Sequence, residues 1–338
     1  MAKRSLALTL GDPAGIGPDI TLLAWQARAA EAIPPFVWLG DPDTLAARAD
    51  QLNLAVRIET VADVTEAAGC FAEALPVLPL TVAHPVVPGR PDEANAGAVQ
   101  HSIERAVGLV LAGAARAVVT NPVSKAVLYR AGFSFPGHTE FLASLAASAG
   151  AAPLPVMMLV AEDLKVVPVT IHMPLQDVAG ALSRELIVAT LLTTARDMRR
   201  YFGLARPRLA VTGLNPHAGE DGALGREEIE VIAPAIKEAR AKGLTVTGPH
   251  PADTLFHAEA RKGYDAAIAM YHDQALIPFK TLAFEHGVNV TLGLPFLRTS
   301  PDHGTAFALA GTRRASPRSL IEALRLADAM AAQAETQA

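Results

Sequence analysis

Short Val-, Ile- and Leu-rich runs alternate along the chain with longer segments whose apolar positions recur at helical spacing. This alternation is the pattern of βαβ units and a largely parallel sheet. It predicts strands over residues 6–10, 36–39, 117–120, 156–160, 166–170, 209–213, 266–271 and 288–292. It predicts helices over residues 20–32, 96–112, 139–148, 184–201, 227–241 and 319–332. Ser183 stands where the N-cap of the fourth helix belongs, and Ser316-Pro317 shortly precedes the last. Pro168 falls inside the fifth strand and has no N–H for a ladder, which points to a sheet edge or a bulge. Residues 85–91 read as a proline-punctuated connector and the tail 331–338 as a fraying end, and no internal repeat is visible.

The chain has 338 residues, 51% of them hydrophobic, enough for two domains with a sizeable core. Its formal charge of -5, from 29 basic against 34 acidic side chains, comes without a basic stripe and argues against a nucleic-acid partner. Cys70 is the only cysteine, which excludes an intrachain disulfide and a multi-cysteine zinc site and suits a reducing compartment. The apolar run at 6–10 stops at Gly11-Asp12-Pro13, too early for a signal-peptide core. No later run approaches the roughly 18 uninterrupted apolar residues of a membrane span. The expectation is a cytoplasmic α/β protein with no membrane partner. The composition shifts near Gly137 into a histidine-bearing half, so two domains are expected: 1–136 with a returning segment 300–338, and 137–299.

Three histidines stand at or just past predicted strand ends. They are His172 in Thr170-Ile171-His172-Met173-Pro174, His217 in Asn215-Pro216-His217-Ala218-Gly219, and His272 in Tyr271-His272-Asp273-Gln274. Imidazole is the commonest protein ligand for metals, and in open α/β folds ligands collect at the carboxyl ends of strands. The residues alone leave two readings open: turn histidines at strand ends, or ligands of one cation with positions left for a substrate. No compact motif such as HExxH supports the second. Asp273 and Asp253 are candidates to orient an imidazole, or turn formers.

Lys280, Asn289 and Arg298 follow around the last predicted strand, and the cations suit a phosphate or carboxylate. A solvated surface charge is the alternative, but the apolar setting Leu294-Pro295-Phe296-Leu297 favours a role for Arg298. Pro136-Gly137-His138-Thr139-Glu140 opens a helix, where free N–H groups favour an anion, unless His138 merely caps it. Gly11-Asp12-Pro13-Ala14-Gly15-Ile16-Gly17-Pro18 follows a strand but has Ile20 where the dinucleotide fingerprint needs a third glycine, so it reads only as a tight turn. Thr120-Asn121-Pro122-Val123-Ser124-Lys125 is another polar strand end.

Seven long motifs in this order resemble the 4-hydroxythreonine-4-phosphate dehydrogenases of pyridoxal phosphate biosynthesis, nearly end to end. They are GDPAGIGP at Gly11, TNPVSK at Thr120, PGHTEFLA at Pro136, GLNPHAGEDGALGREE at Gly213, GPHPADTLF at Gly248, YHDQALIPFK at Tyr271 and LRTSPDHGTAF at Leu297. The resemblance implies two α/β domains around a cleft, similar to the isocitrate and isopropylmalate dehydrogenases. Residues 1–136 and 300–338 would form the nucleotide side, and 137–299 would carry the metal and substrate site and the dimer interface. It implies that His172, His217 and His272 bind one divalent cation, zinc, magnesium or cobalt. It further implies that His138, Thr139, Lys280, Asn289 and Arg298 hold a phosphorylated substrate. A homodimer with its active site at the subunit interface and NAD or NADP as hydride acceptor complete the implied picture.

The implied reaction is oxidation of 4-phosphooxy-L-threonine at its C3 hydroxyl, with decarboxylation to 3-amino-2-oxopropyl phosphate. Paralogous dehydrogenases of 4-phospho-D-threonate or 4-phospho-D-erythronate are the alternative. A cis-diol carboxylate is disfavoured by His138, Lys280 and Arg298. No residue is assigned as proton acceptor or to the nicotinamide cofactor. Two other classes are a metal-dependent hydrolase or aldolase and a non-catalytic binding protein, the last opposed by the intact histidine trio.

Overall fold

The computed structural model describes residues 4–135, 137–147 and 154–337. The chain is a mixed α/β protein that divides into two compact units, Met1–Pro153 with Leu294–Ala332, and Leu154–Gly293 with Gln333–Ala338. The first unit thus runs on past residue 136, and the chain returns to it at Leu294.

Strands β1 (Leu6–Thr9), β2 (Phe36–Gly40), β3 (Ile58–Thr60), β4 (Leu75–Pro79) and β5 (Val118–Val119) belong to the first unit. The second is built on β6 (Val156–Ala161), β7 (Leu164–Pro168), β8 (Arg208–Thr212), β9 (Thr245–His250), β10 (Ala266–Ala269) and β11 (Val288–Leu292). The twelfth, β12 (Arg298–Pro301), completes the first.

In the first unit the order is β3-β4-β2-β1-β5-β12, with every neighbouring pair parallel. β1 and β2 are buried at every position, which is why they read as continuous apolar runs. The helix Ala96–Leu111 lays Val99, Ile103, Ala106 and Val107, one stripe at helical spacing, on β1 and β2. The apolar pattern missed β3, β4, β9 and β12. β4 carries two prolines, β9 carries Gly248 and Pro249, and β12 reads Arg298-Thr299-Ser300-Pro301, without one aliphatic residue though every position is buried.

In the second unit the order is β11-β6-β7-β10-β8-β9. The β11–β6 and β6–β7 pairs are antiparallel, and the β7–β10, β10–β8 and β8–β9 pairs parallel. The edge position expected from Pro168 is corrected: β7 lies between β6 and β10. Pro168 is tolerated there because it is the last residue of β7 and the ladder to β6 stops at Val166. The helix Arg184–Phe202 is capped by Ser183, whose Oγ accepts the Leu186 N–H at 3.1 Å, and it ends at Gly203 with φ +69°. The single helix expected over 227–241 is instead a π-helical turn Glu228–Ile232 followed by an α-helix Ala233–Ala241; Pro234, without an N–H, sits at the junction. Pro278 hid another helix, His272–Ala283, which starts at the carboxyl end of β10 and buries Ala275, Phe279 and Ala283. The closing helix runs from Arg318 to Glu335, so the tail is helical well into the stretch expected to fray. No single helix among the described residues is long and apolar enough to cross a membrane.

The glycine-rich turn after β1 is fixed from beneath. Gly11 has φ +70°, and a Cβ there would lie 2.7 Å from the Cβ of Asn121. Arg48 and Asp19, both buried, form an ion pair. Arg48 also donates to the carbonyls of Gly15 (3.0 Å) and Pro13 (3.1 Å), and Asp19 accepts the Gly311 N–H at 2.7 Å. Removing one member of such a pair strands the other charge in the interior, at a cost of about 3–5 kcal/mol. Arg48→Met is expected to lower stability by that amount in urea denaturation; a wild-type midpoint would show that the pair does not hold this turn.

Candidate active site

The sheet of the second unit decides where the three histidines go. β7, β10 and β8 are adjacent and parallel, with Ala269 opposite Pro168 and Ile268 opposite Val211. Their carboxyl ends therefore lie side by side, and His172, His272 and His217 each follow one of those ends by five residues or fewer. Pairing continues beyond β7: the Val169 N–H donates to Ala269 O at 2.8 Å, and Thr170 Oγ1 donates to Met270 O at 2.8 Å. Past this tie, His172 and His272 share a cavity of about 290 Å³ with Ile171, Tyr271 and Asp273. Their ring centroids are 5.8 Å apart.

His272 Nδ1 lies 2.7 Å from Asp273 Oδ1. A carboxylate on one imidazole nitrogen fixes the ring and turns the other nitrogen outward as a ligand. Asp273 thus sits where an orienting residue belongs. Asp253 lies instead in the turn Ala252–Thr254, which packs against the turn that carries His217.

His217 is exposed and opens an unusual stretch. His217, Ala218, Gly219, Glu220 and Asp221 have φ of 52°, 52°, 83°, 44° and 53°, a left-handed run in which only one residue is glycine. Each non-glycine residue there costs roughly 1–2 kcal/mol, so the surrounding structure must enforce the conformation. Buried Glu228 does part of this by accepting the N–H groups of Leu214 (2.7 Å) and Asn215 (2.8 Å) and the Asn215 Nδ2 (3.0 Å). Among the described residues no three His, Cys, Asp or Glu side chains gather closely enough to hold a metal ion. The trio is present as a pair, His172 with His272, plus His217 on its own loop.

The residues expected to hold a phosphorylated substrate fall into both units. In the second, Lys280 is half-buried near the end of the His272–Ala283 helix with its ammonium 5.5 Å above the Phe284 ring, and half-buried Asn289 lies on β11 opposite Leu159. In the first, His138 and Thr139 begin the helix His138–Ala147, and their side chains lie outside the described residues. Arg298 is buried on β12 and directs Nε and Nη2 at Thr120 Oγ1, at 3.1 and 2.6 Å. Burial pulls its pKa down to about 10, so it remains a cation at neutral pH. Thr120, just past β5, is one support for this guanidinium, a role that its polar motif did not reveal. Gln274 and Glu228 were likewise missed, because a glutamine and a glutamate inside longer motifs carry no signal of which backbone groups they bond.

A family profile described as pyridoxal phosphate biosynthetic protein PdxA matches residues 31–327. The chain belongs to this family. A 4-hydroxythreonine-4-phosphate dehydrogenase of Xanthobacter autotrophicus is 57% identical over 332 residues, covering 98% of this chain and 95% of the relative. The crystal structure of a 4-hydroxythreonine-4-phosphate dehydrogenase from Klebsiella pneumoniae is similar with a TM-score of 0.85 at 38% identity, over 97% of this chain and 100% of that one. A terephthalate 1,2-cis-dihydrodiol dehydrogenase from Burkholderia xenovorans is more distant, with a TM-score of 0.63 at 29% identity over 96% of this chain and 98% of that one. As a member of the PdxA family the chain is an oxidoreductase.

The Arg298–Thr120 contact has a direct consequence for stability. A hydrogen bond to a charged group contributes about 1.5–3 kcal/mol. Thr120→Val, which keeps the shape and removes the acceptor, is expected to lower stability by about that much in chemical denaturation; a wild-type midpoint would show that Thr120 does not support the buried guanidinium.

Proposed function

We propose that this chain oxidises 4-phosphooxy-L-threonine at its C3 hydroxyl with NAD or NADP as hydride acceptor. The resulting β-keto acid loses carbon dioxide to give 3-amino-2-oxopropyl phosphate, a step toward pyridoxal 5'-phosphate. The observation that carries the reading is the set of three histidines at the carboxyl ends of three adjacent parallel strands, two of them sharing one cavity. The relatives named for this dehydrogenase activity support it.

His172 and His272 fit two ligand positions of one divalent cation (zinc, magnesium or cobalt), with Asp273 orienting His272. His217 fits the third. When bound, such a cation supplies Lewis-acid polarisation of the C3 oxygen. Because one chain does not gather the trio, the two parts of the set meet across a homodimer interface in this reading. Its surface would include the exposed apolar residues Leu175, Ile277 and Phe284 of the second unit, 69%, 65% and 74% exposed.

The chain's other residues bind and orient. Lys280, Asn289 and Arg298, with His138 and Thr139, hold the phosphorylated substrate, the buried guanidinium offering planar N–H donors to a phosphate or carboxylate. His138, Lys280 and Arg298 favour, in this reading, a phosphorylated substrate over a cis-diol carboxylate. 4-Phospho-D-threonate and 4-phospho-D-erythronate present the same phosphate and hydroxyl, and dehydrogenation of either is the second reading. A cytoplasmic location goes with this small-molecule chemistry.

The test is nicotinamide absorbance on a panel of these three phosphorylated hydroxy acids, with NAD and NADP, before and after chelation. The expected result is reduced cofactor and released carbon dioxide with 4-phosphooxy-L-threonine, abolished by chelator and restored by a divalent cation. Formation of no reduced cofactor with any of the three would contradict the proposal. His217→Ala is expected to lose nearly all turnover with the fold retained, as circular dichroism would report; unimpaired turnover removes His217 from the site.

A further inference from the structure

Gln274 joins the two strand ends that lead to His272 and His217. Its Oε1 accepts the Met270 N–H and the Thr212 hydroxyl, both at 2.7 Å, and its Nε2 donates to Gly213 O at 2.8 Å. Gln274 lies two residues after His272, and Gly213 four residues before His217. One carboxamide thus ties the end of β10 to the end of β8, much as Thr170 ties the end of β7 to Met270.

Glu228 holds the same loop at the next two residues. Besides the bonds it accepts from Leu214 and Asn215, it lies so close that a Cβ on Gly219 would fall 2.5 Å from its Oε2, and one on Gly213 3.0 Å from its Oε1. Asn215 also donates to Glu227 at 2.7 Å. The stem of the left-handed run at 217–221 is therefore held by two side chains, Gln274 at Gly213 and Glu228 at Leu214 and Asn215, that do not line the His172–His272 cavity.

We propose that Gln274 and Glu228 are positioning residues that fix the His217 loop so that its imidazole is presented ready for a divalent cation. The inference rests on the metal reading above and goes beyond it by naming what sets the geometry of the third ligand. A strained loop without its braces relaxes into other conformations, and apparent affinity falls by the fraction of time the competent one is lost.

The test uses the full chain and cobalt(II) alone as probe. Gln274→Leu, Gln274→Glu, Glu228→Gln and His217→Ala are compared with wild type. The readouts are cobalt titration by its visible absorption, amide hydrogen exchange over residues 213–222 of the metal-free protein, and the metal-free thermal midpoint. Gln274→Leu removes all three bonds; Gln274→Glu keeps the acceptor, loses the donor and sets a carboxylate against Gly213 O. The expected result is cobalt affinity weaker by about 10–100-fold in the brace variants, the range seen when partners of metal ligands are removed. Loop exchange accelerates, and the spectrum loses the wild-type band shape. Cobalt affinity and spectrum like wild type in Gln274→Leu and Glu228→Gln, while His217→Ala loses binding, would overturn the positioning role; so would a lowered midpoint with unchanged affinity. Wild type that takes up no cobalt, or His217→Ala binding it as tightly, would overturn the metal reading and this inference together. Should Gln274→Leu fail to fold, Gln274→Glu carries the same two outcomes.

Discussion

The parallel register of β7, β10 and β8 is the constraint on which the rest of this molecule's chemistry depends. Parallel neighbours end on the same side of a sheet, so whatever follows their carboxyl ends is brought together without any sequence proximity. Here that brings His172 and His272, a hundred residues apart in sequence, into one cavity, and leaves His217 on its own loop past the neighbouring strand end. The core beneath keeps the register: Val166, Ala210, Ala267 and Ala269 from the three strands pack with Phe279 and Ala275 of the helix that His272 begins. A slip of one residue would turn these side chains out of the core, so the apolar face and the site are specified by the same alignment.

What the sheet does not fix, local polar bonds do. Thr170 carries the β7–β10 pairing past the end of the strand, Gln274 bridges β10 to β8, and Glu228 underpins the left-handed loop. Among the described residues of the second unit, the non-glycine residues with left-handed backbone all fall at 217–221. The first unit shows the same division of labour, with buried Arg48 and Asp19 under the glycine turn and Thr120 beneath Arg298. Rigid apolar strands supply the frame, and a few buried polar groups aim what projects from it.

The elements legible from sequence were those whose burial leaves an apolar signature. β1, β2, β6, β8 and β10 are largely apolar runs, with Phe and Trp in β2 and two Met in β6, and the Ser183-capped helix announces its own start. β12 was invisible for a physical reason: buried polar residues break the hydrophobic pattern that identifies a strand. Pro278 hid a helix because it stands in the helix interior, where proline is disfavoured, whereas Pro168 misled only about position, since it ends β7 where no N–H is needed toward β6. The histidine trio was legible as residues at strand ends, and the long motifs around it pointed to its family. Its supports were not, because Gln274 and Glu228 act through main-chain partners that only the folded backbone brings near.

The account stands or falls on whether the three histidines share one cation. The most direct measurement is anomalous diffraction at the cobalt edge from crystals of cobalt-loaded protein. The account predicts one anomalous peak per chain, within bonding distance of imidazole nitrogens from His172, His217 and His272. A peak bound by other side chains, or a peak from which His217 is absent, would contradict it.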